Sequence, residues 1–280
     1  MSAGEPMRSV VVEDFDGWRD AARALLAAGV EPRAVAWGET GEVQASLLGG
    51  GEPPAAADGP ALRVSRRFLA VARALACHRD PERWARLYAV LWRLAHGEPR
   101  LMEVATDPEV HPLLRMEKAV RRETHKLKAF VRFREVREEE ETRFVAWFEP
   151  EHDVLARAAP FFAERFAAMR WSILTPRRSA HWDGASLRMA PGVERASAPD
   201  GDGVEALWRT YYASTFNPGR LRTRAMRGEM PVRYWKNLPE AAEIAPLVAG
   251  APGRVRRMLE GTAGEEELPR RRRREPPTRG

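Results

Sequence analysis

Cysteine is nearly absent: the 280 residues contain one, Cys77. A single thiol excludes an internal disulfide, a cysteine-based zinc site and a self-contained iron–sulfur cluster. Lysine is almost as scarce. Lys118, Lys126, Lys128 and Lys236 are the only lysines among 46 Lys and Arg residues, so arginine carries nearly all the positive charge. Long apolar runs are missing too. No stretch approaches the roughly 18 apolar residues of a transmembrane helix, and the N-terminal MSAGEPMRSVVVEDF has no signal-peptide core. No membrane partner is expected, and the cytoplasm is the default compartment. There is no GxSxG elbow, GxxxxGK[ST] loop or GxGxxG fingerprint, and the six histidines form no HExxH or paired ligand set. Neither a cofactor nor a metal site is expected.

What is present is the composition of a folded protein with an anionic partner. Apolar residues make up 44% of the chain, enough to build a core against 31% charged residues. The net charge of +6 favours nucleic acid as that partner, although an Ala-, Arg-, Gly- and Pro-rich composition also reflects a GC-rich coding sequence. The chain divides into an N-terminal α/β segment and loop over residues 1–60, a body over 61–260 that forms one domain with it, and a disordered basic tail over 261–280.

Residues 8–12 (RSVVV) and 32–38 (PRAVAWG) read as short strands around an amphipathic helix that ends at Gly29. Gly, Pro and Ala mark 47–60 as a loop. Helical spacing of apolar residues then predicts helices over 65–78, 81–97 and 107–130. In the last of these Leu113, Met116, Val120 and Leu127 share one face, with His125 nearly opposite. The period then changes to two. FVRFREVR (130–137) and TRFVAWF (142–148) read as an antiparallel hairpin. A helix over 150–169 follows, then a meander of three short strands over 170–192 with a turn at Asp183-Gly184. The remainder reads as helix over 204–216, a basic helical stretch over 219–230, and one or two more helices. The fold class is α+β, an antiparallel sheet with packed helices and a helical C-terminal segment.

Two kinds of site are legible. The first is a basic, aromatic-bearing surface suited to phosphates and exposed bases. Its cations are Lys118, Arg121, Lys126, Arg132 and Arg134, followed by Arg220, Arg222, Arg224 and Lys236. Its aromatics are Tyr211, Tyr212, Phe216, Tyr234 and Trp235, which either stack on bases or fill the core. The second is a catalytic group of His125, Lys128, His152 and Asp183, in which a lysine among cations would act as a nucleophile. It requires that these side chains meet in one pocket.

Three stretches carry a family resemblance: ETHKLKAFVRFREV, AWFEPEHDVLARAAPFFAERFAAMRWSILTPRRSAHWDG and YYASTFNPGRLRTRAMRGEMPVRYWKNLPEAAEIAPLV. They resemble a bacterial family described as DNA metabolism or DNA repair proteins, domain of unknown function 4130, over roughly Val10 to Met258. Some members stand alone and others are fused ahead of a UdgX-type uracil-DNA-binding domain. The resemblance implies a DNA-repair setting and a radical-SAM repair or modification protein as partner. The glycosylase-type motifs of the fused form are missing, so removal or trapping of uracil by that route is not expected. The expected function is therefore a nucleic-acid-binding accessory factor. The alternatives are an enzyme acting on damaged nucleic acid through the His/Lys/Asp group, and a protein-interaction module that touches no DNA.

Overall fold

Asp14 and Gly29 bracket the first helix, as their chemistry dictates. The Asp14 carboxylate accepts the Gly17 N–H at 2.8 Å, and Gly29 closes the other end at a φ of 68°, where a side chain is disfavoured. In the computed structural model this helix, α1 (Phe15–Ala27), connects strands β1 (Arg8–Val11) and β2 (Val35–Gly38). The two strands pair in parallel, Arg8 opposite Val35. The structure describes residues 7–38, 64–138, 141–197, 213 and 216–263. The expected loop at 47–60, most of the helix at 204–216 and nearly all of the tail at 261–280 fall outside them. The described residues group into two compact units, 1–133 with 137–198, and 134–136 with 199–280.

In the first unit Ser65 caps α2 (Arg66–Leu75), and α3 (Arg83–Ala95) and α4 (Val110–Phe130) follow. The helix faces read from the sequence are the buried ones. Leu113, Met116, Val120 and Leu127 of α4 are all in the interior. Trp18 stacks on Trp84 at 6.1 Å and donates its indole N–H to the Trp84 carbonyl at 3.2 Å. Tyr88 donates its hydroxyl to the Val30 carbonyl at 2.7 Å. One core thus joins the N-terminal βαβ segment to α2, α3 and the first half of α4.

The larger sheet has five strands in chain order: β3 (Arg134–Glu138), β4 (Glu141–Trp147), β5 (Trp171–Leu174), β6 (Arg178–Trp182) and β7 (Leu187–Pro191). Two details differ from the sequence reading. The first strand starts at Arg134 because α4 runs on through Phe130. The pair β4–β5 is parallel, since α5 (Leu155–Arg165) carries the chain back over the sheet between them. The meander β5–β6–β7 is antiparallel as expected. Its first turn is held by Thr175, which accepts the Arg178 N–H at 3.1 Å and donates to the Arg178 carbonyl at 2.7 Å. Gly192 passes so close to the Pro176 carbonyl that a Cβ has no room. The fold class is α+β.

The second unit contains α6 (Thr223–Glu229) and α7 (Ile244–Ala263), with turns of 3-10 helix at 218–220, 232–237 and 239–243. Helix α7 packs on the first and last of these turns. Asn217 accepts the Gly219 N–H at 2.9 Å and opens the first turn. Among the described residues no helix is long and apolar enough to cross a membrane.

Candidate functional site

The residues proposed for catalysis lie at three places in the first unit. His125 sits on the exposed face of α4, and Lys128, one turn on, holds its ammonium 4.4 Å from the centre of the Phe161 ring. His152 lies between β4 and α5 and is 5% exposed. Its ring stacks on His78 at 4.2 Å, and its Nδ1 accepts the Arg79 N–H at 3.4 Å. Burial, and next the neighbouring His152, hold the His78 pKa down to about 4, so His78 is neutral at pH 7. His78 also lines a second cleft, of about 430 Å³, with Asp80, Arg86, His111 and Arg115. Among the described residues no group of three or more His, Cys, Asp or Glu is placed to hold a metal ion.

Asp183 is a turn residue. Its Oδ1 accepts the Ala185 and Ser186 N–H groups at 2.9 and 2.8 Å, and its Oδ2 accepts the Ser186 hydroxyl at 2.8 Å. The Ser186 backbone and hydroxyl donors, followed by the Ala185 N–H, hold its pKa down to about 2. A carboxylate fixed in this way is no proton donor at neutral pH.

The basic residues divide as well. Lys118 and Arg121 are exposed on α4. Lys126 is not part of their face: it is 7% exposed, with its ammonium 5.7 Å from the Phe130 ring centre. Its long apolar stem allows this burial. Half-buried Arg132 donates to the Ala129 and Val131 carbonyls at 2.9 and 3.2 Å, at the C-terminus of α4. Arg134 is half-buried, and in the second unit Arg222, Arg224 and Lys236 are exposed. Tyr211, Tyr212 and the Arg220 side chain lie outside the described residues. Tyr234 is buried at 1% exposure and accepts from Arg233 at 2.8 Å, so it is a core anchor and offers no stacking face.

A different set of residues does converge. Strand register places Val145, Ser172, His181 and Arg188 in one row across β4 to β7. Their chain neighbours Trp171, Ile173 and Ala180 take the opposite face, where α5 buries them with Phe162. On the row's face lies a half-open cavity of about 420 Å³, lined among others by Arg143, Arg170, Ser172, His181, Asp183 and Arg188. All three arginines are exposed, and Ser172 and His181 are half-buried. Ser172 Oγ and His181 Nδ1 are 2.8 Å apart. Burial, and next the charge of Arg143, lower the His181 pKa, so the ring is neutral at pH 7. Either tautomer leaves one donor for a ligand. If the hydroxyl donates to Nδ1, Nε2 keeps its proton; if Nδ1 donates to Oγ, the hydroxyl proton is left. Guanidinium groups around one such donor suit an anion, above all a phosphate.

Of this group the sequence reading includes only Asp183. A signal for the others exists, because Arg143, Ser172, His181 and Arg188 all occupy the same phase of the period-two alternation. Assembling them requires the register of four strands, whereas cations adjacent in the sequence give the stronger local signal.

The sequence profile of a domain of unknown function, DUF4130, matches residues 81–240. The match is shorter than the Val10–Met258 span of the resemblance, and every cavity residue falls inside it. No curated protein and no solved structure matches the chain. The match covers more than half of the sequence, and the chain belongs to the DUF4130 family.

Proposed function

We propose that this DUF4130 protein is a nucleic-acid-binding accessory factor in DNA repair or DNA metabolism, and that the open face of its larger sheet takes the phosphates. One observation carries this reading: Arg143, Arg170 and Arg188 line a single cavity around the hydrogen-bonded Ser172–His181 pair. Planar guanidiniums match phosphate oxygens, and a neutral donor among them adds a directional contact. The exposed Lys118, Arg121, Arg222, Arg224 and Lys236 supply further positive surface. The repair setting, and a radical-SAM enzyme as working partner, come from the three motifs that resemble the family.

The test is binding of short single- and double-stranded DNA across a salt series, followed by fluorescence anisotropy. Replacing Arg143, Arg170 and Arg188 together by Ala leaves up to three phosphates without their cations. The salt dependence of log K should then become shallower by about 0.7–0.9 for each phosphate no longer neutralised. Unchanged affinity and slope in a folded triple variant would reject the sheet face as the binding surface.

A further inference from the structure

We infer that the exposed face of α4 is a docking surface for the sugar–phosphate backbone of a nucleic-acid duplex. The inference rests on the nucleic-acid reading above and names the form of nucleic acid; no residue of α4 lines the sheet cavity, so this is a second contact. Spacing is the first ground. His111, Arg115, Lys118, Arg122 and His125 follow one another at four, three, four and three residues, which sets them in one row along the helix with Arg121 beside it. All six are exposed. At a rise of 1.5 Å per residue the row is about 21 Å long, enough to meet several phosphates of one strand. Charge is the second ground. Helix α4 contains two acids, and each is engaged elsewhere. Glu117 accepts from both terminal nitrogens of Arg67 at 2.7 and 2.6 Å. Glu123 is buried and accepts the Glu151 N–H at 2.7 Å. Among the described residues Arg115, Lys118, Arg121 and Arg122 form no ion pair, so all four charges face outward uncompensated.

What this face lacks selects the partner. No large apolar side chain of α4 is exposed. A protein partner needs an apolar centre to its interface, and a helix lying on a membrane needs an apolar face turned to lipid. The apolar face of α4, with Leu113, Met116, Val120 and Leu127, is in the interior. The row also has no aromatic residue. Proteins that hold single strands gain much of their affinity by stacking aromatics on exposed bases. A duplex stacks its bases on one another and presents phosphates, which is what unpaired cations in a row can hold.

The experiment uses the full chain and one oligonucleotide sequence, single-stranded and as a duplex, with anisotropy read across a salt series. Two variants are compared. The first is Arg115→Ala/Lys118→Ala/Arg121→Ala/Arg122→Ala. The second removes four exposed arginines from other surfaces, Arg23→Ala/Arg73→Ala/Arg100→Ala/Arg157→Ala. Each loses four positive charges, from +6 to +2, so net charge is matched. Alanine favours the helix at the exposed α4 positions, and circular dichroism checks that both variants are folded. For the duplex, the first variant should flatten the dependence of log K on log salt by about 0.9 for each phosphate released, up to about 3.6 for four. The second should change it far less, and single-strand binding by the first should fall less than duplex binding. Equal losses in the two variants make the effect one of net charge and overturn the docking face. An unchanged duplex slope in the first variant overturns it too, and so does a loss of single-strand binding as large as that of the duplex. Each of these leaves the sheet reading standing, because the cavity arginines are untouched. Absence of binding by the unaltered chain to either form overturns both.

Discussion

The two faces of the larger sheet differ residue by residue along the same strands. On β5, Trp171 and Ile173 face α5 and are almost inaccessible, while Ser172 between them is half-buried in the cavity. On β6, Ala180 is fully buried and its neighbour His181 is not. One face is held by aromatic packing, with Phe162 6.1 Å from Trp171 and Phe133 6.0 Å from Phe162. The other has a small apolar patch of Trp147 and Leu174 at one end and the arginine-lined cavity beside it. The alternation of a strand is thus used twice, once for stability and once for binding. Substitutions one residue apart should therefore have different consequences.

The largest effect on folding should come from the covered face. Ile173→Ala should cost about 2–5 kcal/mol, the range for removing a large aliphatic side chain from a packed core. Urea denaturation reads this directly, and DNA affinity per folded molecule should be unchanged. Ser172→Ala, one residue away, should cost at most about 1 kcal/mol, since it gives up one hydrogen bond at a half-buried site. If the two variants are equally destabilised, the distinction between the faces fails.

Gly192→Ala should come next. A Cβ there runs into the Pro176 backbone, which cannot swing aside as a side chain can. A cost of about 1–3 kcal/mol is expected from overpacking, and a thermal melt checks it. The turn it disturbs joins β5 to β6, so the variant also reports how far the cavity depends on that turn.

Helix α4 repeats the contrast on a smaller scale. Lys126→Ala should destabilise by about 1 kcal/mol by removing the packed stem and leave DNA binding alone. Lys118→Ala should leave stability within about 0.5 kcal/mol and weaken binding slightly, more so at low salt. A clear binding defect for Lys126→Ala with no loss of stability would contradict the burial of that side chain.

A further contrast concerns pH. His78 titrates near its ordinary 6.5 when unfolded and at about 4 when folded. Between these values the unfolded chain binds more protons, so stability rises with pH and is lost as pH falls from about 6.5 to about 4. Denaturation midpoints measured across that window should fall on acidification. His78→Asn should flatten part of the slope, and an unaltered slope would remove His78 from the account.

Much of the fold is legible in the sequence because local signals agree with it. Asp14, Ser65 and Gly29 mark helix ends by their own hydrogen bonding or backbone freedom, and Asp183-Gly184 forms a turn between the strands it is expected to join. The buried stripe of α4 follows from helical spacing alone. What is not legible depends on partners distant in sequence. Period two gives the faces of β4 and β5 but not their direction, which the α5 crossover decides. Charge suggests that Lys126 is exposed, whereas packing at the end of α4 buries its stem. The cavity is hidden for the same reason. Arg143, Arg170 and Arg188 are spread over three stretches of chain and meet only when the strands are in register.

The most direct measurement is photo-crosslinking of the full chain to a short 5′-phosphorylated oligonucleotide, with the attached peptides identified by mass spectrometry. Crosslinks should fall in residues 142–148 and 170–190, and Arg143→Ala/Arg170→Ala/Arg188→Ala should remove them. Crosslinks confined to α4 or to the 222–236 segment, with none on the sheet, would contradict the assignment of the open face as the nucleic-acid surface.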